Sequence, residues 1–177
     1  MSVNHLFPVV CTADLPSTVV DAFLTRALNG SEALVPNTEP CLVVLTSPAN
    51  SPNSAPTHPS RTPTQPFTSP FNDQSPTQIA EYVGGAGFFA VLDARSAEGE
   101  TALLVQVQRD GREETKVDVL RITFDAAQHV LQALDVASLG FEELMINAED
   151  QGGVYGRPPQ RKSPLKGGPA PRKKLGG

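Results

Sequence analysis

The sequence predicts an α/β fold: one domain on a mixed sheet of about five strands covered by helices, and three observations carry that prediction. An apolar run, an amphipathic stretch and a second apolar run follow one another within the first 46 residues, the spacing of a βαβ unit with parallel strands and a right-handed crossover. Two later apolar runs flank an Asp-Gly pair, the turn chemistry of an antiparallel hairpin. Capping patterns then precede stretches of helical periodicity, which supplies the cover for the sheet.

Taken in order, residues 6–12 and 41–46 are rich in Val and Leu and bounded by Pro, Asp or Ser; their near-continuous apolarity predicts strands buried on both faces. Between them Ser17 is placed to cap a helix running to Leu28, with Val20, Phe23, Leu24, Ala27 and Leu28 on one stripe and Gly30 just past the end. Residues 47–75 carry Pro at 48, 52, 56, 59, 63, 66 and 70 among Ser, Thr and Asn, without Ile, Leu or Val, which predicts a disordered, partly polyproline-like insertion within the one domain. Ser75-Pro76-Thr77-Gln78 combines a cap, a Pro at the first helical position and a Gln three residues on. It opens a short helix ending at Gly84-Gly85.

Residues 88–93, 101–108 and 116–124 read as the third, fourth and fifth strands, the last two joined through Arg109-Asp110-Gly111-Arg112. Asp125-Ala126-Ala127-Gln128 repeats the capping pattern and opens a helix to about Ala137, with Val130, Leu131 and Leu134 inward, and residues 141–148 form a last short helix. The single domain thus spans 1–148 around its insertion, and residues 149–177 form a disordered basic tail.

Charge is divided by position. Residues 1–150 hold all 19 Asp and Glu with seven Lys and Arg, a balance of −12, whereas 151–177 hold the other seven Lys and Arg and no acid, giving the net −5. An acidic body with a basic Gly- and Pro-rich tether points to partners. The two cysteines, Cys11 and Cys41, sit in apolar runs as buried thiols. If their strands pair the thiols become neighbours, but no secretory context supports a disulfide. The N-terminus has neither the basic region nor the apolar stretch of a signal peptide, and no run is long enough for a membrane span, so the expectation is a soluble cytoplasmic or nuclear protein.

The stretch Gly87-Phe88-Phe89-Ala90-Val91-Leu92-Asp93, continued by Leu103-Leu104-Val105-Gln106, Ala133-Leu134-Asp135-Val136 and Phe141-Glu142-Glu143-Leu144, resembles a small α/β domain of unknown function found in bacterial and fungal proteins. The resemblance covers roughly residues 80–148 and rests on hydrophobic spacing. It implies a fold, and no catalytic residues.

Candidate sites are few. Asp14 and Asp93 follow predicted strands, and if those strands are parallel neighbours both carboxylates reach one sheet edge, where with Thr46 they would hold Mg²⁺ or a phosphate. Asp at such positions also begins turns and caps helices, and neither residue has the companions of a catalytic pair. Glu142, Glu143 and Asp135 read as a solvated helical face. His129 falls on a helix and His5 and His58 in flexible segments, without metal-ligand spacing, so no metal or cofactor is expected. Gly84-Gly85-Ala86-Gly87 follows a helix and precedes a strand, the wrong order for a phosphate loop.

The tail is the more specific signal. Arg157, Arg161, Lys162, Lys166, Arg172, Lys173 and Lys174 form a charged tether in which Arg161-Lys162 and Arg172-Lys173-Lys174 have the spacing of a bipartite nuclear-import signal. The same charges suit an acidic or phosphate-bearing partner, nucleic acid included, or an arm lying on the acidic body. Ser163-Pro164 has the form of a proline-directed phosphorylation site, and Pro63-Thr64-Gln65-Pro66 that of a minimal polyproline ligand. The expectation is a non-enzymatic interaction or adaptor domain with a protein partner and no membrane contact. The alternatives are a small ligand-binding protein or enzyme at the Asp14–Asp93 edge, or an accessory protein on RNA or a ribonucleoprotein.

Overall fold

The computed structural model describes residues 5–47, 57–83, 85–109 and 115–158. The first apolar run forms β1 (Phe7–Cys11), buried at every position because it lies between two parallel neighbours, β2 (Leu42–Val44) and β3 (Phe88–Leu92). Pro8 is tolerated there: pairing with β3 begins only at Val9, so no ladder bond needs its missing N–H. β4 (Thr101–Arg109) and β5 (Thr115–Thr123) complete a five-stranded mixed sheet of order β2-β1-β3-β4-β5. Both join antiparallel, as expected of the hairpin. Their pairing runs out at Arg109 opposite Thr115, so the connection spans 110–114, wider than a two-residue turn. Asp110 and Gly111 themselves lie outside the described residues.

Alternation along the strands splits the core between two faces. Phe7, Val9, Leu42, Val44, Leu92, Leu104 and Ile122 meet α1 (Ser17–Leu34), α4 (Phe124–Asp135) and α5 (Phe141–Asp150). On the other face Val10, Phe89, Val91, Val105 and Val107 meet Ile79 and Ala80 of α2 (Pro76–Tyr82), with Phe71 beside them. The Ser75–Gln78 capping box forms as its residues predict.

Several expectations need correction. α1 does not stop at Leu28, and Gly30 is no C-cap: a Cβ there would lie 1.9 Å from the Asp125 carbonyl oxygen. Gly30 is the point where α1 and the first turn of α4 come closest, and only a residue without a side chain fits. Ser17 is the first residue of α1, preceded by Pro16 with no side-chain cap bond. Asp125 and Gln128 form no capping pair either. Asp125 lies in the first turn of α4 and binds Arg26 (Nη2 to Oδ2, 2.5 Å), and Gln128 is buried. A short helix unforeseen in the sequence, α3 (Ala94–Gly99), follows β3 and is capped by Asp93.

Residues 57–75, expected to be a disordered insertion, are tied down along their length. Ser60 donates its N–H to the Leu42 carbonyl (2.9 Å) and accepts the Val44 N–H on Oγ (2.9 Å). Thr64 N–H reaches Asp21 (2.8 Å), Ser69 Oγ donates to the Cys11 carbonyl (2.5 Å), and Asp73 N–H donates to that of Thr12 (3.0 Å). The physical reason is Phe71, 1% exposed, with Phe67 packed against the main core: two aromatic anchors replace the aliphatic residues the segment lacks. Residues 48–56 lie outside the described residues. The tail likewise begins later than expected. α5 continues through Asp150, Val154 is buried, and Tyr155 bridges to Ile122 at the margin of the sheet.

Candidate functional site

Parallel pairing of β1 and β2 decides what meets at the end of the sheet where both begin. α1 runs back along the sheet to that end, and α4 lies beside it, held by the edge-to-face pair Phe23–Phe124 (5.1 Å) and the Gly30–Asp125 contact. His5 before β1, the turn 35–41 between α1 and β2, and Gln132, Asp135 and Val136 at the end of α4 therefore converge. They line a cleft of about 660 Å³ with Phe7, Val35, Asn37, Thr38, Glu39 and Cys41.

Each wall has its own support. In the turn, Asn37 adopts the left-handed conformation (φ 64°) and Thr38 Oγ1 donates to the Val35 carbonyl (2.6 Å), with an Asx-type residue where backbone freedom is needed. Gln128, 1% exposed, staples the turn to α4: its Oε1 accepts the Cys41 N–H (3.4 Å) and its Nε2 donates to the Glu39 carbonyl (3.2 Å). Phe7 N–H closes the strand side on the Cys41 carbonyl (2.8 Å). His5 rests edge-on against Phe7, ring centroids 5.6 Å apart, with Nδ1 2.8 Å from Asp135 Oδ1.

The chemistry of the cleft is acceptor-rich. Asp135 and Glu39 line it, among the described residues no Lys or Arg does, and Val35 (62% exposed) and Val136 (71% exposed) place an apolar rim at its mouth. Cys41 is not an activated nucleophile: burial, reinforced by the Asp135 charge and opposed by a hydrogen bond with Gln132, pushes its thiol up to about 12. Burial likewise raises Cys11 to about 11. Both cysteines are free. Pairing of Phe7 with Leu42 sets Cys11 five positions farther along the sheet than Cys41, about 16 Å at the rise of a strand and beyond disulfide reach.

The opposite end of the sheet holds the residues singled out in the sequence. β1 and β3 are parallel neighbours, so Asp14 and Asp93 do follow adjacent strand ends, with Thr46 after β2 at the same edge. Their side chains are otherwise engaged or apart. Asp93 binds Arg121 through both oxygens and caps α3 with Ser96 Oγ (3.2 Å). Burial pushes the Asp93 carboxyl up, but Arg121, with Ser96 and Arg95, outweighs this and holds it below its ordinary value. Asp14 is exposed, and Thr46 lines a separate cleft of about 380 Å³ with Ser60 and Arg61. The bonds of Ser69 and Asp73 to Cys11 and Thr12 lay the chain itself across this edge.

Of the tail, Arg157 lines a third cleft, about 540 Å³, with Gly30, Leu34, His129 and Tyr155; burial lowers the His129 pKa, opposed by the Asp125 carbonyl. Arg161, Lys162, Ser163, Lys166, Arg172, Lys173 and Lys174 lie outside the described residues. Among the described residues no group of three or more His, Cys, Asp and Glu is arranged to hold a metal ion, and no helix is long and apolar enough to cross a membrane.

Sequence reasoning missed the cleft because His5 and Asp135 are 130 positions apart. The available signal was topological: a residue just before the first parallel strand and one at the end of the helix after the last strand fall at the same end of the sheet. No protein-family model, curated protein or solved structure matches this chain.

Proposed function

We propose that the protein is a non-enzymatic interaction domain whose cleft accepts a cationic segment with apolar flanks from a protein partner. The observation that carries this reading is the Asp135 carboxylate in the cleft beside the exposed Val35 and Val136 on the rim. A carboxylate in the cleft suits Arg or Lys, and the rim suits the aliphatic neighbours of such a residue. The protonated Cys41 thiol supports binding over nucleophilic chemistry. The resemblance over residues 80–148 assigns no activity, so the reading rests on the chemistry of the cleft.

The basic tail supplies a second contact of opposite sign. Its seven Lys and Arg within 151–177 attract a carboxylate- or phosphate-bearing surface, and a phosphate on Ser163 weakens that attraction. The spacing of its basic clusters suits a protein of the cytoplasm or nucleus.

Fluorescence anisotropy of a labelled peptide alternating Arg and Val, titrated with the full chain, tests the cleft. Saturable binding that Asp135→Asn weakens about tenfold, the scale of one charge-assisted contact, supports the reading. Equal binding by the variant, or equal binding of a peptide alternating Glu and Val, overturns it.

A further inference from the structure

β5 lies at the margin of the sheet, and its outer edge is only partly covered. At its C-terminal end the chain covers it: Tyr155 N–H donates to the Arg121 carbonyl (2.9 Å) and Thr123 N–H to that of Tyr155 (3.0 Å). In an antiparallel strand alternate residues present N–H and C=O to the same side, so Val117 and Val119 face outward as Arg121 does. The β4 side agrees, since Val107, opposite Val117, gives its N–H to Gly87 beyond β3 and not to β5. Among the described residues nothing bonds the outward backbone of Val117 or Val119. The other margin is closed, because Ser60 binds both Leu42 and Val44 of β2.

We infer that this edge pairs antiparallel with the same edge of a second copy of the chain, across a twofold axis at Val117. The sequence around the axis is self-complementary. Centring on Val117 sets Lys116 opposite Asp118 of the second copy, twice, and Thr115 opposite Val119, with about six backbone hydrogen bonds. The neighbouring registers fail: a centre at Lys116 or Asp118 opposes like charges, and a centre at Val119 needs the Arg121 edge that Tyr155 occupies. Val119, 38% exposed, lies on the face it shares with Val117, so pairing extends the sheet and covers apolar surface.

Lys116 and Asp118 also meet within one chain (4.0 Å), a contact that exchange of the two residues preserves. Sedimentation equilibrium of the full chain at low salt is expected to show a monomer–dimer equilibrium. Lys116→Asp or Asp118→Lys alone should raise the dissociation constant at least tenfold, and the exchange K116D/D118K should restore it to within about threefold, with circular dichroism unchanged throughout. Register is read by cross-linking under a mild oxidant: K116C mixed with D118C should give a disulfide dimer, and neither variant alone. A monomer at every concentration, as when residues 159–177 of the same chain cover the edge, would overturn the proposal. So would cross-linking of D118C with itself, or single charge variants that associate like the parent.

Discussion

At the scale of single residues, three positions explain more of this molecule than their residue types suggest. Gly30 sets the approach of α1 to α4, and Gly30→Ala should cost about 1–3 kcal/mol, the usual penalty for overpacking, because the obstructing atom is backbone oxygen and cannot turn aside. Thermal denaturation checks this; an unchanged or raised melting temperature would show that the helices separate freely. Arg121, its side chain 10% exposed, is neutralised by Asp93. The Asp93 carboxyl is depressed in the folded chain, so its contribution is present above the ordinary aspartate range and lost as pH falls through the lower folded value. Asp93→Asn should destabilise the protein at pH 7 by roughly 2 kcal/mol and flatten the loss of stability between neutral and acid pH, measured by urea unfolding across pH. Gln128 is the third, since Gln128→Leu leaves the Cys41 N–H and the Glu39 carbonyl without their partner and loosens the cleft turn.

At the scale of elements, the segment 57–75 shows most clearly what composition hides. Its Pro, Ser and Thr content argues for disorder, yet Phe71 is inserted beneath it and Ser60 serves as an extra partner for β2. Phe71→Ala should therefore cost about 3–5 kcal/mol, as for a large core aromatic, whereas a disordered insertion would tolerate it; chemical denaturation distinguishes the two. The strands were legible because runs such as Phe88–Leu92 are apolar enough to require burial on both faces. α2 was legible because Ser75, Pro76 and Gln78 state its start in adjacent residues. The same reasoning failed at Asp125–Gln128, where the capping types are present but Arg26 and the Glu39–Cys41 backbone claim the side chains. Local chemistry could not announce partners nearly a hundred residues away. The cleft was illegible for that reason, since every wall of it comes from a different part of the chain.

At the scale of the whole molecule, one end of the sheet is covered and, among the described residues, the other carries a cleft. Residues 69–73 cross the strand ends at Cys11 and Thr12, where open α/β folds commonly bind ligands. The opposite end carries the acid-lined cleft and its apolar rim. Together with a body of −12 and a tail of +7, the proposed function assigns the chain two contact surfaces of opposite sign, and this makes salt a diagnostic. Raising ionic strength should weaken cationic-peptide binding only in part, because the rim contributes apolar area that salt does not screen. The most direct measurement is a ¹⁵N NMR titration of the full chain with the Arg–Val peptide. Saturable shifts centred on Val35, Thr38, Gln132 and Val136, and lost in the Asp135→Asn variant, are predicted; shifts confined to Asp14, Thr46 and the opposite end of the sheet would contradict it.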